Sequence, residues 1–307
     1  MSNFTLENTC LKKGCLAGEV AVITGSTSNV GKGYAQALAW AGAKVVIVGR
    51  NETKGNKVAA MINEDNGPDT AIFVKTDVSK AEDIQNLKEK AIEKFGKVDI
   101  LINNAMNMAL CGPVLGSPIE ELDEAYAISG RAVMLAINAF VPDMIKRGHG
   151  TVTYSTTQFH YIPGMLGGSI YTASKSCGTS IVMSLANEVK GTGVNVFCIT
   201  PAGVGVPETK GTDKANGDLP DELDGVKMPG FPGLVPTDAA GAGMVYALTK
   251  ADKMHGTGHL ISDVLIAMNY PFPCPETAVA RENRYLDDIP LTLAFCYMGH
   301  AVPKIDE

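Results

Sequence analysis

The sequence predicts an α/β doubly wound domain on three observations. Short β-branched runs recur along the chain: EVAVIT (19–24), KVVIVG (44–49), AIFVKT (71–76), VDILIN (98–103), TVTYST (151–156), VNVFCIT (194–200) and HLISDVLIA (259–267). Helix-periodic segments separate them, as in AEDIQNLKEKAIEKFG, where Ile84, Leu87, Ile92 and Phe95 share one face. The runs are also nearly continuous in apolar character, the mark of strands buried on both faces in a parallel sheet. Strand and helix alternating in this way build a sheet with helices on both sides.

Composition narrows the function classes. The chain has 307 residues, a net charge of −7, and 26 basic residues that form no dense cluster, which argues against binding along a nucleic acid backbone. Seven scattered cysteines (10, 15, 111, 177, 198, 274, 296), never spaced CxxC, argue against a zinc site or a disulfide framework and for a reducing compartment. The five histidines form no HxxxH or HExxH pair, so no metal is expected. The N-terminus lacks the apolar core of a signal peptide, and no run reaches the ~18 apolar residues of a membrane span. A soluble, cytoplasmic protein is expected.

The first strand leads into VITGSTSNVGKGYAQALAW (22–40), with Gly25, Gly31 and Gly33 ahead of a helical segment. An NTPase loop needs GxxxxGK followed by Ser or Thr. Here five residues separate Gly25 from Gly31, and Gly33 stands where the hydroxyl should be. GxGxxG is also absent. What remains, TGxxxxxGxG between strand and helix, can offer backbone N–H groups and a helix N-terminus to a pyrophosphate.

The second run ends VVIVGRNE, with no carboxylate before Glu52 to hold a ribose diol. Arg50 can form charge-assisted bonds to a 2′-phosphate, or stack on an adenine. After the fifth run comes SIYTASKSCG. Tyr171 and Lys175 stand at i and i+4 of a helix and therefore share a face. Lowering a tyrosine from its reference pKa near 10 by about 3 units requires roughly 4 kcal/mol of phenolate stabilisation, part of which a neighbouring cation supplies.

Two regions break the rhythm. Residues 204–236 are rich in Gly, Pro and Asp with weak periodicity, which predicts a functional lid. Residues 269–307 follow the last run, and their apolar stretch at 290–298 predicts a C-terminal extension packed on the domain or on a neighbouring subunit.

Over residues 17 to 268 the chain resembles the short-chain dehydrogenase/reductase family. The resemblance rests on TGSTSNVG (24–31), TDV (76–78), NNA (103–105), YTASK (171–175) and the segment at Pro201, in the family's order and spacing. It implies a single Rossmann-like catalytic domain with a mainly parallel seven-stranded sheet, a nicotinamide cofactor, and hydride transfer between a carbonyl and a secondary alcohol. In that scheme Tyr171 is the general acid/base and Lys175 its pKa partner and a ligand of the nicotinamide ribose. The cofactor path includes Gly25, Thr27, Asn29, Val30 and Gly31 of the loop, Arg50 and Asn51 after the second strand, and Asp77 and Val78 at the adenine. It continues through Asn104 and Ala105 to Pro201 and Val204. Arg50 favours NADP(H), with NAD(H) as the alternative. Homo-oligomers, dimers or tetramers, are typical of the family.

The chain departs from the family pattern at several positions. The middle glycine of the loop is Asn29, which tolerates left-handed backbone better than most residues. Met106 follows NNA where glycine is usual, and Ser129 stands at the position of a helix asparagine. The serine expected 13 residues before the tyrosine is missing: Gln158 is there, and Thr157 lies one step back. Aligning forward from the fifth strand favours Thr157 as the hydroxyl that polarises the carbonyl, with Gln158 as the alternative. Met106, Gln158, His160 and Met165 are candidate substrate contacts. With the other methionines and aromatics nearby they suggest a bulky, apolar ketone or alcohol, polycyclic or steroid-like. The departures keep open a nucleotide-binding regulatory protein of the same fold. A cofactor-free dehalogenase-like relative, which pairs its tyrosine with arginine, is disfavoured by Lys175.

Overall fold

The computed structural model describes residues 6–7, 9–110, 112, 114–157, 168–201, 204–205 and 235–270. In the first half, β1 (Val20–Ile23), β2 (Lys44–Gly49), β3 (Ala71–Lys75) and β4 (Ile100–Asn103) alternate with α1 (Asn29–Trp40), α2 (Glu52–Asn66) and α3 (Ala81–Phe95). Next come α4 (Ile119–Tyr126), a π turn (Ala127–Arg131) and α5 (Ala132–Arg147), then β5 (Gly150–Ser155), α6 (Ser169–Glu188) and β6 (Val194–Thr200). The chain closes with β7 (Val204–Gly205), β8 (Val235–Pro236), α7 (Thr237–Thr249), α8 (Ala251–Met254), β9 (Gly258–Leu260) and α9 (Ile261–Ala267).

Seven strands form one parallel sheet in the order β3-β2-β1-β4-β5-β6-β9. The expected Rossmann-like sheet is therefore present. Side chains alternate between its two faces as the pleat requires. Ala21 and Ile23 of β1, Val45 and Ile47 of β2, and Phe197 and Ile199 of β6 pack on the side of α1 and α7. Val20, Val22, Val46, Val48, Val194 and Val196 pack on the side of α3, α5 and α6. Strand order reverses between β1 and β4, and the crevice at their carboxyl ends is where ligands bind in such sheets.

The seventh strand is shorter than the run HLISDVLIA suggests. Only Gly258–Leu260 pairs with β6, and the rest turns into α9. Ile261, Val264, Leu265 and Met268 are all buried at helical spacing, a period the continuous apolar run concealed. The packed unit also begins ahead of residue 17, because Leu6 and Leu16 join the core on the α7 side. The stretch Ile119–Arg147 is long and apolar enough to cross a membrane by composition, yet more than half of its apolar window is buried in the protein. The π turn interrupts its ladder at Ser129, and Gly148, at φ 66°, closes it in left-handed conformation. Of the expected lid, β7 and β8 pair with each other at its base. Residues 206–234 lie outside the described residues, as does the extension after Tyr270.

Candidate active site

The crevice is built where β1 and β4 end. Thr24 Oγ1 accepts the backbone N–H groups of Asn104 at 2.9 Å and Ala105 at 3.0 Å, which fixes the β4 exit against the loop. Gly25 has φ 66°, and a Cβ there would lie 2.8 Å from Ala105 Cα. At Gly31 a Cβ would lie 2.4 Å from the Gly25 carbonyl oxygen. Both glycines are thus demanded by close backbone approach. Asn29 adopts φ 49°, so the loop keeps its left-handed step with asparagine in place of glycine. Ser26 ties the loop to β2: its hydroxyl donates to the Ile23 carbonyl at 2.6 Å and accepts the Val48 N–H at 2.9 Å.

The loop delivers the start of α1 in a state suited to an anion. Ser28 makes no side-chain cap there, and no acidic residue occupies the first turn. Among the described residues neither a side-chain cap nor a first-turn acid meets the positive end of the helix, which fits a phosphate-bearing cofactor.

At the end of β2, Arg50 is exposed. The carboxyl of Asp77 would be raised by its partial burial, but the Ser79 hydroxyl and N–H hold it below the ordinary carboxylate range, and Arg50 and Lys80 add to that. A side chain at Gly49 would meet Thr27, with its Cβ 2.6 Å from Thr27 Cγ2. Asn51 caps α2, its Oδ1 accepting Lys54 N–H at 2.9 Å. Val78, with Thr24, Ala105 and Tyr154, lines a small cavity under the crevice.

A polar chain then runs from the loop to α6. The Asn104 amide donates to the Thr24 carbonyl at 3.1 Å, and its oxygen accepts Ser155 Oγ at 3.0 Å. The Ser155 carbonyl accepts Lys175 Nζ at 2.6 Å. Lys175 is buried, and burial pushes its ammonium down to about 7. Tyr171, one turn earlier, is half-buried. Thr157 is buried just beyond β5. Met106 is half-buried, and its sulfur receives the Ser129 hydroxyl at 3.3 Å. Pro201 is half-buried after β6. Gln158, His160 and Met165 lie outside the described residues.

Thr24, Ser26, Ser155 and Tyr154 escaped the sequence reading. The faint signal for the first two was hydroxyl residues at strand ends beside the glycines. At the amino ends of the central strands, ligand atoms of Glu19, Asp99 and His149 lie within 4.8 Å of one another. Lys97 at 2.8 Å and Arg147 at 3.4 Å already pair with Asp99, which accepts Val20 N–H, and His149 Nε2 lies 3.0 Å from Glu19, so these side chains tie the starts of β1, β4 and β5 together.

The comparisons agree with this arrangement. The family model described as short chain dehydrogenase matches residues 19–217. The chain is 28% identical over 262 residues to 1-deoxy-11-beta-hydroxypentalenate dehydrogenase of Streptomyces exfoliatus, covering 85% of this chain and 94% of that protein. It is 33% identical over 194 residues to 2,5-dichloro-2,5-cyclohexadiene-1,4-diol dehydrogenase of Sphingobium indicum, covering 63% and 76%. Among solved structures, the 3-ketoacyl-(acyl-carrier-protein) reductase of Brucella melitensis complexed with NADH superposes with a TM-score of 0.68 at 27% identity, covering 80% of this chain and 97% of that one. The chain belongs to the short-chain dehydrogenase family and is an oxidoreductase of hydroxyl and carbonyl groups.

Proposed function

We propose that the protein is an NADP(H)-preferring reductase and dehydrogenase of a bulky apolar ketone and its secondary alcohol, with a polycyclic or steroid-like skeleton. The observation that carries the reading is the continuous polar chain from the loop glycines through Asn104 and Ser155 to Lys175, one helical turn from Tyr171. The bound cofactor supplies or accepts the hydride. The chain's own residues do the rest. In reduction, the Thr157 hydroxyl donates to the carbonyl oxygen and orients it, and Tyr171 gives that oxygen its proton. Lys175 favours the phenolate left behind. Oxidation runs the same proton back from the alcohol to Tyr171.

The uncapped α1 N-terminus and the exposed Arg50 support a phosphate-rich dinucleotide carrying a 2′-phosphate. The names of the two curated relatives, both dehydrogenases of hydroxylated compounds, support the reaction class. A soluble cytoplasmic homo-oligomer is part of the same reading. The deciding experiment is a screen of cyclic ketones with NADPH and with NADH, followed at 340 nm. Turnover that survives in Tyr171→Phe would overturn the role of Tyr171, whereas bound nucleotide without turnover of any ketone would favour a regulatory protein instead.

A further inference from the structure

Lys175 is an ammonium in an unusual setting. It is buried, yet among the described residues no carboxylate acts on it: burial dominates, and the only charge effect comes from the Cys198 thiol of β6. Its own helix places Tyr171 and Cys177 nearby, and the π turn packed on α6 presents the neutral Ser129. The acids of α4, Glu120, Glu121, Asp123 and Glu124, add nothing at Lys175. What does face the ammonium is an aromatic ring. Nζ lies 4.9 Å from the ring centroid of Tyr154, a fully buried β5 residue paired in register with Cys198.

Two further residues are shaped to this ring. A Cβ at Gly178 of α6 would lie 2.4 Å from Tyr154 Cζ and 2.4 Å from the Ser129 carbonyl oxygen. Ser129, on the π turn, presents its backbone carbonyl oxygen to the same gap, while its hydroxyl is turned to the Met106 sulfur. Neither residue leaves room for bulk, so strand, turn and helix close together around the phenol.

We propose that Tyr154 is a positioning residue whose π face keeps the buried Lys175 in its charged form beside Tyr171. This rests on the reading of Tyr171 and Lys175 given above. A cation over a desolvated ring is stabilised enough to move an equilibrium by about one pH unit. The sign is set by the ammonium. Activity that needs Lys175 charged is lost as pH rises through its pKa, so weakening the ring moves that loss to lower pH. Burial already draws the Lys175 pKa down toward neutrality, so a shift of about one unit changes the charge of this group within the range where activity is measured.

The test is a titration of Lys175 by NMR in ¹⁵N-lysine-labelled full-length protein, with Lys175→Met for assignment. Position 154 carries Tyr, Phe, or phenylalanines of increasing ring fluorination, which keep the shape and weaken the π face. The expected result is a Lys175 pKa nearly unchanged in Tyr154→Phe and falling progressively, by about one unit, with fluorination. The alkaline limb of kcat/KM for ketone reduction should fall in parallel. A Lys175 titration indifferent to fluorination would overturn the proposal, and so would a full shift already in Tyr154→Phe, which would assign the effect to the hydroxyl. The NMR arm is independent of Tyr171. A ring-dependent titration in a protein whose Tyr171→Phe variant stays active would support Tyr154 while overturning the assignment of Tyr171.

Discussion

Tyr171, Thr157 and Arg50 each carry a role that one substitution can test. Removing a general acid typically costs 10²–10⁴ in rate, so Tyr171→Phe should lose about that factor in kcat while cofactor affinity, read by NADPH fluorescence, stays nearly constant. Thr157→Val should lower kcat by about 10²–10³, the usual cost of one oxyanion donor, and Gln158→Ala by less; the reverse order would give the role to the amide. At Arg50 a charge-assisted hydrogen bond of about 1.5–3 kcal/mol corresponds to roughly 10- to 100-fold preference for NADPH, to be lost in Arg50→Ala and measured as a ratio of kcat/KM values. An acid introduced by Gly49→Asp has first to displace the Thr27 methyl, 2.6 Å from the new Cβ, so its reversal of preference should be fuller in Thr27→Ser. The sequence displayed these side chains because each is exceptional for its place: a tyrosine four before a lysine, an arginine where an acid is usual. It hid Ser155 because that residue's part is played by its backbone carbonyl and by a hydroxyl bonded to Asn104, and neither leaves a mark in residue type. The cap role of Asn51 was equally silent, since asparagine suits a helix cap and a ligand contact alike.

The elements place those residues by packing that leaves little slack, and α6 is the tightest case. Gly178 lies against both the Ser129 carbonyl and the Tyr154 ring, so Gly178→Ala must push α6 off the π turn and β5. Overpacking of this kind costs about 1–3 kcal/mol, expected as a lower urea midpoint with unchanged slope, and Tyr154→Leu should rescue part of it by freeing the same space. An additive pair of losses would mean the two residues do not share that contact. Most strands were readable: the nearly continuous apolar runs of β1 and β2 predict burial on both faces, as found. Periodicity failed where both periods fit. The run after His259 is apolar apart from Ser262 and Asp263, and the burial of Ile261, Val264, Leu265 and Met268 shows that the helix prevails. The π turn could not be read either, because an inserted residue in a long helix leaves the apolar pattern almost unchanged.

At the scale of the whole molecule, the described residues include an apolar surface at α4 and α5. Ile119 and Tyr126 on α4 and Met134 on α5 are exposed by 62%, 37% and 50%. They are spaced by seven and eight positions, with the π turn absorbing the extra residue, so they form a stripe along one helical wall. Val114 and Leu115, more exposed still, precede the same wall. Isolated exposed apolar residues are ordinary, whereas a continuous patch rimmed by charge marks an interface. Glu120, Glu121 and Asp123 beside the stripe supply the rim. A second copy presenting the same wall antiparallel would pair apolar centre with apolar centre and keep the acids at the edge, which is the self-complementary geometry of a two-fold dimer. A stable contact of this kind buries about 800 Å² on each partner, within reach of two helices and the preceding loop. Sedimentation velocity at micromolar protein should therefore report a dimer or tetramer. Met134→Glu should shift it toward monomer by burying a charge at the centre of the contact, while Lys146→Glu at the far end of α5 should not. A wild-type monomer at that concentration would remove the oligomer from the reading, and a Met134→Glu protein that assembles normally would move the contact to another face.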